Sequence, residues 1–171
     1  AEKIVLTGNP IREQIHQNRI SSEQGKRFFD LEPHLPTVLV VGGSLGARSI
    51  NLAISAMTDF FGDKQVQLIW QTGKPYFAEA KKLCDSEKNI RVHEFIKEME
   101  YAYGAADVIV SRAGAMAISE LSLIGKPAIL VPYPFASEDH QTHNALSLVN
   151  AGAAILITDS NAHSELKPAL A

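Results

Sequence analysis

Residues 111–120 combine a glycine turn, small polar side chains and a single carboxylate, Glu120. They follow a largely apolar run, 107–110, that is typical of a buried strand, and they lead into a helix that ends at Gly125. Gly114 lets the backbone approach a ligand closely, and the free amide groups at the start of the helix attract an anion. Glu120, about one turn into the helix, can accept hydrogen bonds from a vicinal diol such as a ribose. The alternative is that Glu120 only complements the helix dipole, which contributes roughly 0.3–1 kcal/mol.

A second glycine turn, residues 42–48, follows the unbroken β-branched run 37–41. Such a run predicts a strand that is covered on both faces of a parallel sheet. Glycines and a hydroxyl at the start of the next helix can cradle a phosphate, and the residues concerned are Gly42, Gly43, Ser44 and Gly46. The spacing matches neither the P-loop nor the dinucleotide fingerprint. The alternative is that Ser44 only caps the helix.

A third polar loop, residues 133–141, also leads into a helix. His140 and His143 suggest a metal site, but they stand three residues apart without a third ligand, so we expect surface roles for both. Glu138 and Asp139 are typical of charges at a helix N-terminus. We predict no metal site, no cofactor and no nucleophile-base pair in this chain.

Short apolar runs alternate with helical segments along the chain. The predicted strands cover residues 37–41, 66–70, 90–95, 107–110, 127–132 and 153–158. This alternation predicts an α/β fold with a Rossmann-like, open, mostly parallel sheet and helices on both faces. Ligands of such sheets bind beyond the carboxyl ends of the strands, where the strand order switches. The three polar loops should therefore meet in one crevice, and their residues predict a site for a nucleotide sugar.

Length and composition restrict the classes of protein to consider. With 171 residues, of which 46% are hydrophobic, the chain is expected to form a single domain, 1–171, in which 1–36 serve as a lead-in segment and linker. A net charge of -3 argues against nucleic-acid binding. The lone Cys84 is expected to be a packed thiol. The sequence has neither a signal peptide nor a bilayer-spanning apolar run, which predicts a cytoplasmic setting, and a start at Ala1 without methionine suggests a piece of a longer protein.

Several motifs in the same order resemble those of the MurG family of bacterial glycosyltransferases. They occupy residues 8–12, 42–48, 94–96, 105–107, 111–120, 125–127 and 139–145, and so extend over nearly the whole chain. The resemblance is to the carboxyl-terminal half of a two-domain GT-B enzyme. It implies that this half binds UDP-N-acetylglucosamine, the donor in the conversion of lipid I to lipid II during peptidoglycan and cell-wall synthesis.

The resemblance also implies roles for individual residues. Ser44 would contact the diphosphate, the backbone of Ile96 the uracil, Glu120 the ribose hydroxyls and Gln141 the sugar. The nucleotide would be lined by Ala115, Met116, Ala117, Ile118 and Ser119, with Arg12 close to it. Leu45 and His140 stand where family members carry glutamine, so no donor contact is assigned to either.

In the family, the amino-terminal domain supplies the acceptor loops, the base and the membrane-facing patch. We therefore expect no catalytic residue in this chain, which should bind donor, transfer nothing and insert into no membrane. The full-length protein would bind its lipid-linked acceptor through the other domain, in the cytoplasm and peripheral to the inner face of the plasma membrane. Two alternatives are a donor-binding subunit of a two-subunit glycosyltransferase of dolichol-linked sugar assembly and a non-catalytic sugar-nucleotide sensor.

Overall fold

A single parallel sheet is the centre of the fold. The computed structural model describes residues 11–13, 15, 20–63 and 65–171. Within these ranges six strands pair in the order β3-β2-β1-β4-β5-β6, and every pair is parallel. They are β1 (Thr37–Val41), β2 (Gln67–Gln71), β3 (Ile90–His93), β4 (Val108–Ser111), β5 (Ala128–Leu130) and β6 (Ala154–Leu156). The predicted Rossmann-like α/β fold is confirmed, and the strand order switches between β1 and β4.

Helices connect the strands. They are α1 (Ser22–Phe28), α2 (Arg48–Ser55), α3 (Thr58–Asp63), α4 (Lys74–Leu83), α5 (Met99–Ala105), α6 (Ala115–Ile124), α7 (His140–Asn150) and α8 (Ala162–Leu170). The apolar residues Ile50, Ile54 and Met57 predict that the helix after the glycine loop continues through Met57, but α2 is shorter. It ends at Ser55, and Met57 lies in the turn before α3 with its side chain 3% exposed. Its burial produced the helical pattern, although the backbone there is a turn.

Helices cover both faces of the sheet, as predicted. In β1 the side chains of Val38 and Val40 join one buried cluster, and Leu39 joins the other. This alternation is the period-two geometry of a strand, and because both faces are apolar the strand reads as an unbroken hydrophobic run. Trp70 of β2 is fully buried and donates a hydrogen bond from Nε1 to Oδ1 of Asn51 at 3.0 Å. Trp70 is thus a core residue.

The periphery of the fold agrees with the sequence where the structure describes it. The alternating pattern of residues 90–95 predicts a strand near a sheet edge, and β3 pairs only with β2 among the described strands. Cys84 is a buried thiol whose pKa burial raises to about 11. The sequence predicts a brief extended segment at 4–7 and a sharp turn at 8–10, and both lie outside the described residues. Within the described part of the chain, no helix is both long and apolar enough to span a membrane.

Candidate functional site

A cavity of about 1050 Å³ lies at the carboxyl ends of β1 and β4, where the strand order switches. Small-molecule sites commonly enclose roughly 300–1,000 Å³, so this cavity can hold a ligand as large as a nucleotide sugar. Its walls come from the loops after β1, β4 and β5 and from α6. The predicted site residues that line it are Arg12, Gly42, Gly43, Ser44, Gly46, Met116, Ala117, Glu120 and Gln141.

Four other predicted residues do not line the cavity. Because α6 begins at Ala115, its cavity face is formed by residues 116, 117 and 120. Ile118 packs against the core instead, and the hydroxyl of Ser119 donates to the carbonyl of Ala115 at 2.9 Å. The side chain of Ile96 is 3% exposed and belongs to the core. The structure therefore brings together nine of the thirteen predicted residues in one cavity wall and leaves Ile96, Ala115, Ile118 and Ser119 outside it.

The glycine loop after β1 has the geometry of an anion cradle. Gly43 and Gly46 have positive φ angles of 87° and 77°, a conformation that favours glycine. A Cβ on Gly46 would collide with the carbonyl oxygen of Thr72, so the loop depends on a bare backbone there. Ser44 is exposed at the cavity, and α2 begins later with Ala47 as its N-cap. The alternative that Ser44 caps the helix is therefore wrong.

Gln71 connects this loop to the loop after β3. It ends β2 and is 2% exposed. Its Nε2 donates to the carbonyl of Gly43 at 3.1 Å, and its Oε1 accepts from the backbone amide of Ile96 at 2.8 Å. The amide of Ile96 is thus already engaged, and only its carbonyl is left to contact a base. The signal for Gln71 in the sequence is weak, because it is only a polar residue at the end of a buried strand.

Glu120 is a buried carboxylate in the second turn of α6, with 4% of its surface exposed. Its Oε2 accepts a hydrogen bond from the hydroxyl of Tyr103 at 2.8 Å. Its Oε1 lies 3.7 Å from Nε of Arg12. Among the described residues neither Glu120 Oε1 nor Arg12 Nη1 has a hydrogen-bond partner, although both atoms are buried. Helix-dipole effects fade beyond the first turn, so the dipole alternative does not account for this carboxylate.

Tyr103, a helix tyrosine that the sequence alone would assign to packing, makes a specific contact at the cavity. It lies on α5, is 6% exposed, and joins α5 to Glu120 on α6. Burial, and then the neighbouring carboxylate, raise the pKa of the Tyr103 phenol. The hydroxyl therefore stays protonated and donates a hydrogen bond to Glu120. No sequence pattern signals this contact, because it joins two helices that are separated by a strand.

Arg112 is a further cavity residue, after Gln71 and Tyr103, that the sequence prediction missed. Its Nη1 donates to the carbonyls of Val131 and Pro132 at 3.1 and 3.0 Å, and it forms an ion pair with Asp159. Its Nη2 donates to the hydroxyl of Ser49 at 3.2 Å. Arg112 therefore holds together the loops after β4, β5 and β6 and the start of α2. Its position inside the stretch 111–120 was the available signal.

The first turn of α7 contributes Gln141 to the cavity. Oε1 of Gln141 accepts from the backbone amide of Tyr133 at 2.9 Å, which leaves the amide NH₂ as the group that can donate to a ligand. His140 and His143 are exposed, as expected. Within the described ranges, no three side chains of histidine, cysteine, aspartate or glutamate are grouped so as to hold a metal ion.

Together, the parallel sheet, the glycine loop and the cavity at the switch point define a Rossmann-like domain, one half of a GT-B glycosyltransferase. Comparison with models of known families identifies the family of this domain. The model of the glycosyltransferase family 28 C-terminal domain matches residues 37–171, and the chain belongs to this family.

Individual relatives agree with the family match. The chain is 49% identical over 170 residues, 98% of its length, to the UDP-N-acetylglucosamine--N-acetylmuramyl-(pentapeptide) pyrophosphoryl-undecaprenol N-acetylglucosamine transferase of Parabacteroides distasonis. It is 52% identical over 165 residues, 96% of its length, to the enzyme of the same name from Cytophaga hutchinsonii. These alignments cover 46% and 44% of the two enzymes, so the chain spans about half the length of the curated relatives it matches.

Among solved structures, the crystal structure of Acinetobacter baumannii MurG is similar to the whole chain, with a TM-score of 0.68 and 25% sequence identity. The similarity covers 100% of this chain and 50% of that one. The expected resemblance to the MurG family is therefore confirmed, and it concerns one half of such an enzyme.

Proposed function

We propose that this chain is the donor-binding domain of an inverting N-acetylglucosaminyltransferase that converts lipid I to lipid II. The donor is UDP-N-acetylglucosamine, and the acceptor is the undecaprenyl-linked muramyl-pentapeptide. The names of the relatives from Parabacteroides distasonis and Cytophaga hutchinsonii support the donor and the acceptor. Neither a resident cofactor nor a metal ion takes part in the function proposed for this domain.

The observation that carries the proposal is a pair of buried atoms at the cavity wall, Glu120 Oε1 and Arg12 Nη1, that have no hydrogen-bond partner in the part of the chain that the structure describes. A buried polar group without a partner costs about 1–3 kcal/mol, and more when it is charged. A ribose hydroxyl can satisfy both atoms, because it donates to a carboxylate and accepts from a guanidinium. The pair therefore fits a sugar diol better than a purely structural ion pair.

The remaining cavity residues fit the rest of the donor. The backbone of the glycine loop, the hydroxyl of Ser44 and the exposed Arg48 at the start of α2 can hold a diphosphate. The NH₂ group of Gln141 can donate to a sugar oxygen. Donors fixed around the diphosphate would also stabilise the charge that develops when UDP leaves the anomeric carbon.

Transfer requires more than donor binding. The base that deprotonates the acceptor hydroxyl, and the acceptor site itself, are assigned by the family resemblance to the other half of the enzyme. We therefore propose that the isolated chain binds donor without transferring sugar. In the complete protein, the domain works in the cytoplasm, peripheral to the inner face of the plasma membrane. There the enzyme reaches its lipid-linked acceptor.

Calorimetric titration with UDP-N-acetylglucosamine, UDP and UDP-glucose tests the proposal. The chain should bind the N-acetyl sugar more tightly than UDP-glucose. Glu120→Ala should weaken binding by at least roughly tenfold, which corresponds to one charge-assisted hydrogen bond of about 1.5 kcal/mol. Glu165→Ala, which removes an exposed carboxylate on α8, is the control and should leave binding unchanged. A folded chain that binds none of the three ligands would contradict the proposal.

A further inference from the structure

The hydroxyl of Tyr103 occupies one oxygen of the cavity carboxylate, Glu120. From this contact we propose that Tyr103 is a positioning residue for ribose recognition, one that holds Glu120 in its binding geometry before any ligand arrives. Tyr103 acts through Glu120, and the inference rests on the proposed donor-binding function.

The hydrogen bond fixes which carboxylate oxygen is left for a ligand. Oε2 of Glu120 accepts from Tyr103, whereas Oε1 has no hydrogen-bond partner among the described residues and lies beside Arg12. A glutamate side chain has several rotamers, and ordering it upon binding would reduce affinity. Because Tyr103 already holds the side chain, that cost is met when the protein folds.

Tyr103 can hold Glu120 in place because its own helix, α5, is held at its C-terminus by Lys126 and packed along its backbone by α1. Nζ of Lys126 donates to the carbonyls of Tyr103, Gly104 and Ala106, at 2.7, 2.8 and 2.5 Å. A cation at the C-terminus of a helix also complements the helix dipole. On the other side, a Cβ on Gly25 would collide with the backbone of α5, so α1 packs directly against that backbone. A tyrosine on so firmly held a helix end makes a rigid support for Glu120.

The test compares two ligands that differ only in the ribose hydroxyls, UDP and 2′,3′-dideoxy-UDP, by calorimetry on the wild-type chain and on Tyr103→Phe. The substitution removes one oxygen and keeps the ring. UDP should bind roughly 3- to 10-fold more weakly, the cost of ordering one flexible side chain. The affinity for the dideoxy ligand should fall less than about twofold. This ligand has no hydroxyl for Glu120, so its binding does not require an ordered Glu120 side chain.

Two further variants separate positioning from structural damage. Tyr101→Phe, two residues earlier on α5, removes a hydroxyl from a ring that stacks on Phe28 and should leave both affinities unchanged. On a Glu120→Gln background, Tyr103→Phe should cost UDP binding much less than on the wild-type background, because the residue acts through the carboxylate. Circular dichroism establishes that each variant is folded at the titration temperature.

The outcomes are distinct. An equal loss for UDP and the dideoxy ligand in Tyr103→Phe, or no loss for either, would overturn the positioning role and leave the proposed donor-binding function standing. A folded wild-type chain that binds neither UDP nor UDP-N-acetylglucosamine would overturn both. A selective loss for UDP that disappears on the Glu120→Gln background would support the inference.

Discussion

Replacing Gln71 by methionine tests whether the two loops that it joins must be held together for ligand binding. Gln71 donates to the carbonyl of Gly43 and accepts from the amide of Ile96, and it is almost fully buried. Methionine has nearly the same length and volume, so the packing is kept while both hydrogen bonds are lost. We expect a less stable fold and a more weakly bound nucleotide.

The size of each effect follows from the surroundings of the two bonds. Two hydrogen bonds contribute roughly 1–3 kcal/mol together. The bond to Ile96 is buried, so its amide loses the acceptor that it has among the described residues, whereas Gly43 is exposed and water can replace the lost donor. We expect a loss of about 2 kcal/mol in the free energy of unfolding, which lowers the melting temperature by roughly 4–8 °C for a domain of this size. UDP affinity should fall about fivefold, because ordering a loosened loop costs about 1 kcal/mol.

The same strand offers a matched control. Gln67, at the other end of β2, is 1% exposed, and its side chain exchanges two hydrogen bonds with the backbone of Glu32 at 2.6 and 2.8 Å. Gln67→Met should therefore destabilise the fold by a similar amount, but at the edge of the sheet away from the cavity. Its affinity for UDP should equal that of the wild type.

Urea denaturation followed by circular dichroism measures stability, and calorimetric titration measures UDP affinity, for both variants and the wild type. We expect both variants to lose stability by similar amounts and only Gln71→Met to bind UDP more weakly. Equal affinity losses would mean that Gln71 acts only through general stability. An unchanged affinity in a destabilised Gln71→Met chain would show that the link between the loops does not shape the site.

Three further outcomes are expected. Burial, and then the charge of Arg91, lower the pKa of His93 below its ordinary value of 6.5, so the unfolded chain gains a proton there before the folded chain does. The free energy of unfolding should hence be fully retained above pH 6.5 and fall as the pH drops through the lowered pKa, by up to about 1.4 kcal/mol per pH unit. In urea titrations His93→Phe should flatten this decline, and an unchanged pH profile would exclude His93 as its source. Gln141→Glu replaces a donor by a negative charge at the sugar end of the cavity and should weaken UDP-N-acetylglucosamine roughly tenfold more than it weakens UDP in calorimetry, whereas equal losses would speak against a sugar contact. Gly46→Ala should cost clearly more stability than Gly125→Ala in urea unfolding, because both positions have positive φ but only a Cβ at Gly46 meets neighbouring backbone; similar costs would contradict the cradle geometry.

Much of the fold could be predicted because the order of apolar residues along the chain indicates which segments are buried. The run at β1 has no polar residue within 38–41, which is the pattern of a strand covered on both faces, and the structure places it at the centre of the sheet. Parallel strands then bring the loops at their carboxyl ends to one edge. This is why the glycine loop, Glu120 and Gln141 could be assigned to a common cavity before their positions were known.

The rest depended on geometry that spacing does not encode. Which residues of 115–120 face the cavity depends on where α6 begins and how it is rotated. The contact between Tyr103 and Glu120 depends on how two helices pack, and that between Arg112 and Asp159 on the meeting of loops 47 residues apart in the chain. Side-chain partners of this kind follow from tertiary packing, so the linear pattern identified Glu120 of the first pair and neither residue of the second.

The order of the strands also has a consequence for how the domain opens. Strands β1 to β3 form one continuous block of the chain, β4 to β6 form another, and the two blocks meet where β1 pairs with β4. The cavity lies across that junction, so a ligand that contacts both of its sides would hold the two blocks together. At a hundredfold excess over its dissociation constant, such a ligand raises the free energy of separating them by about 2.7 kcal/mol. The backbone amides that pair β1 with β4 should then be the ones whose exchange with solvent slows most upon saturation.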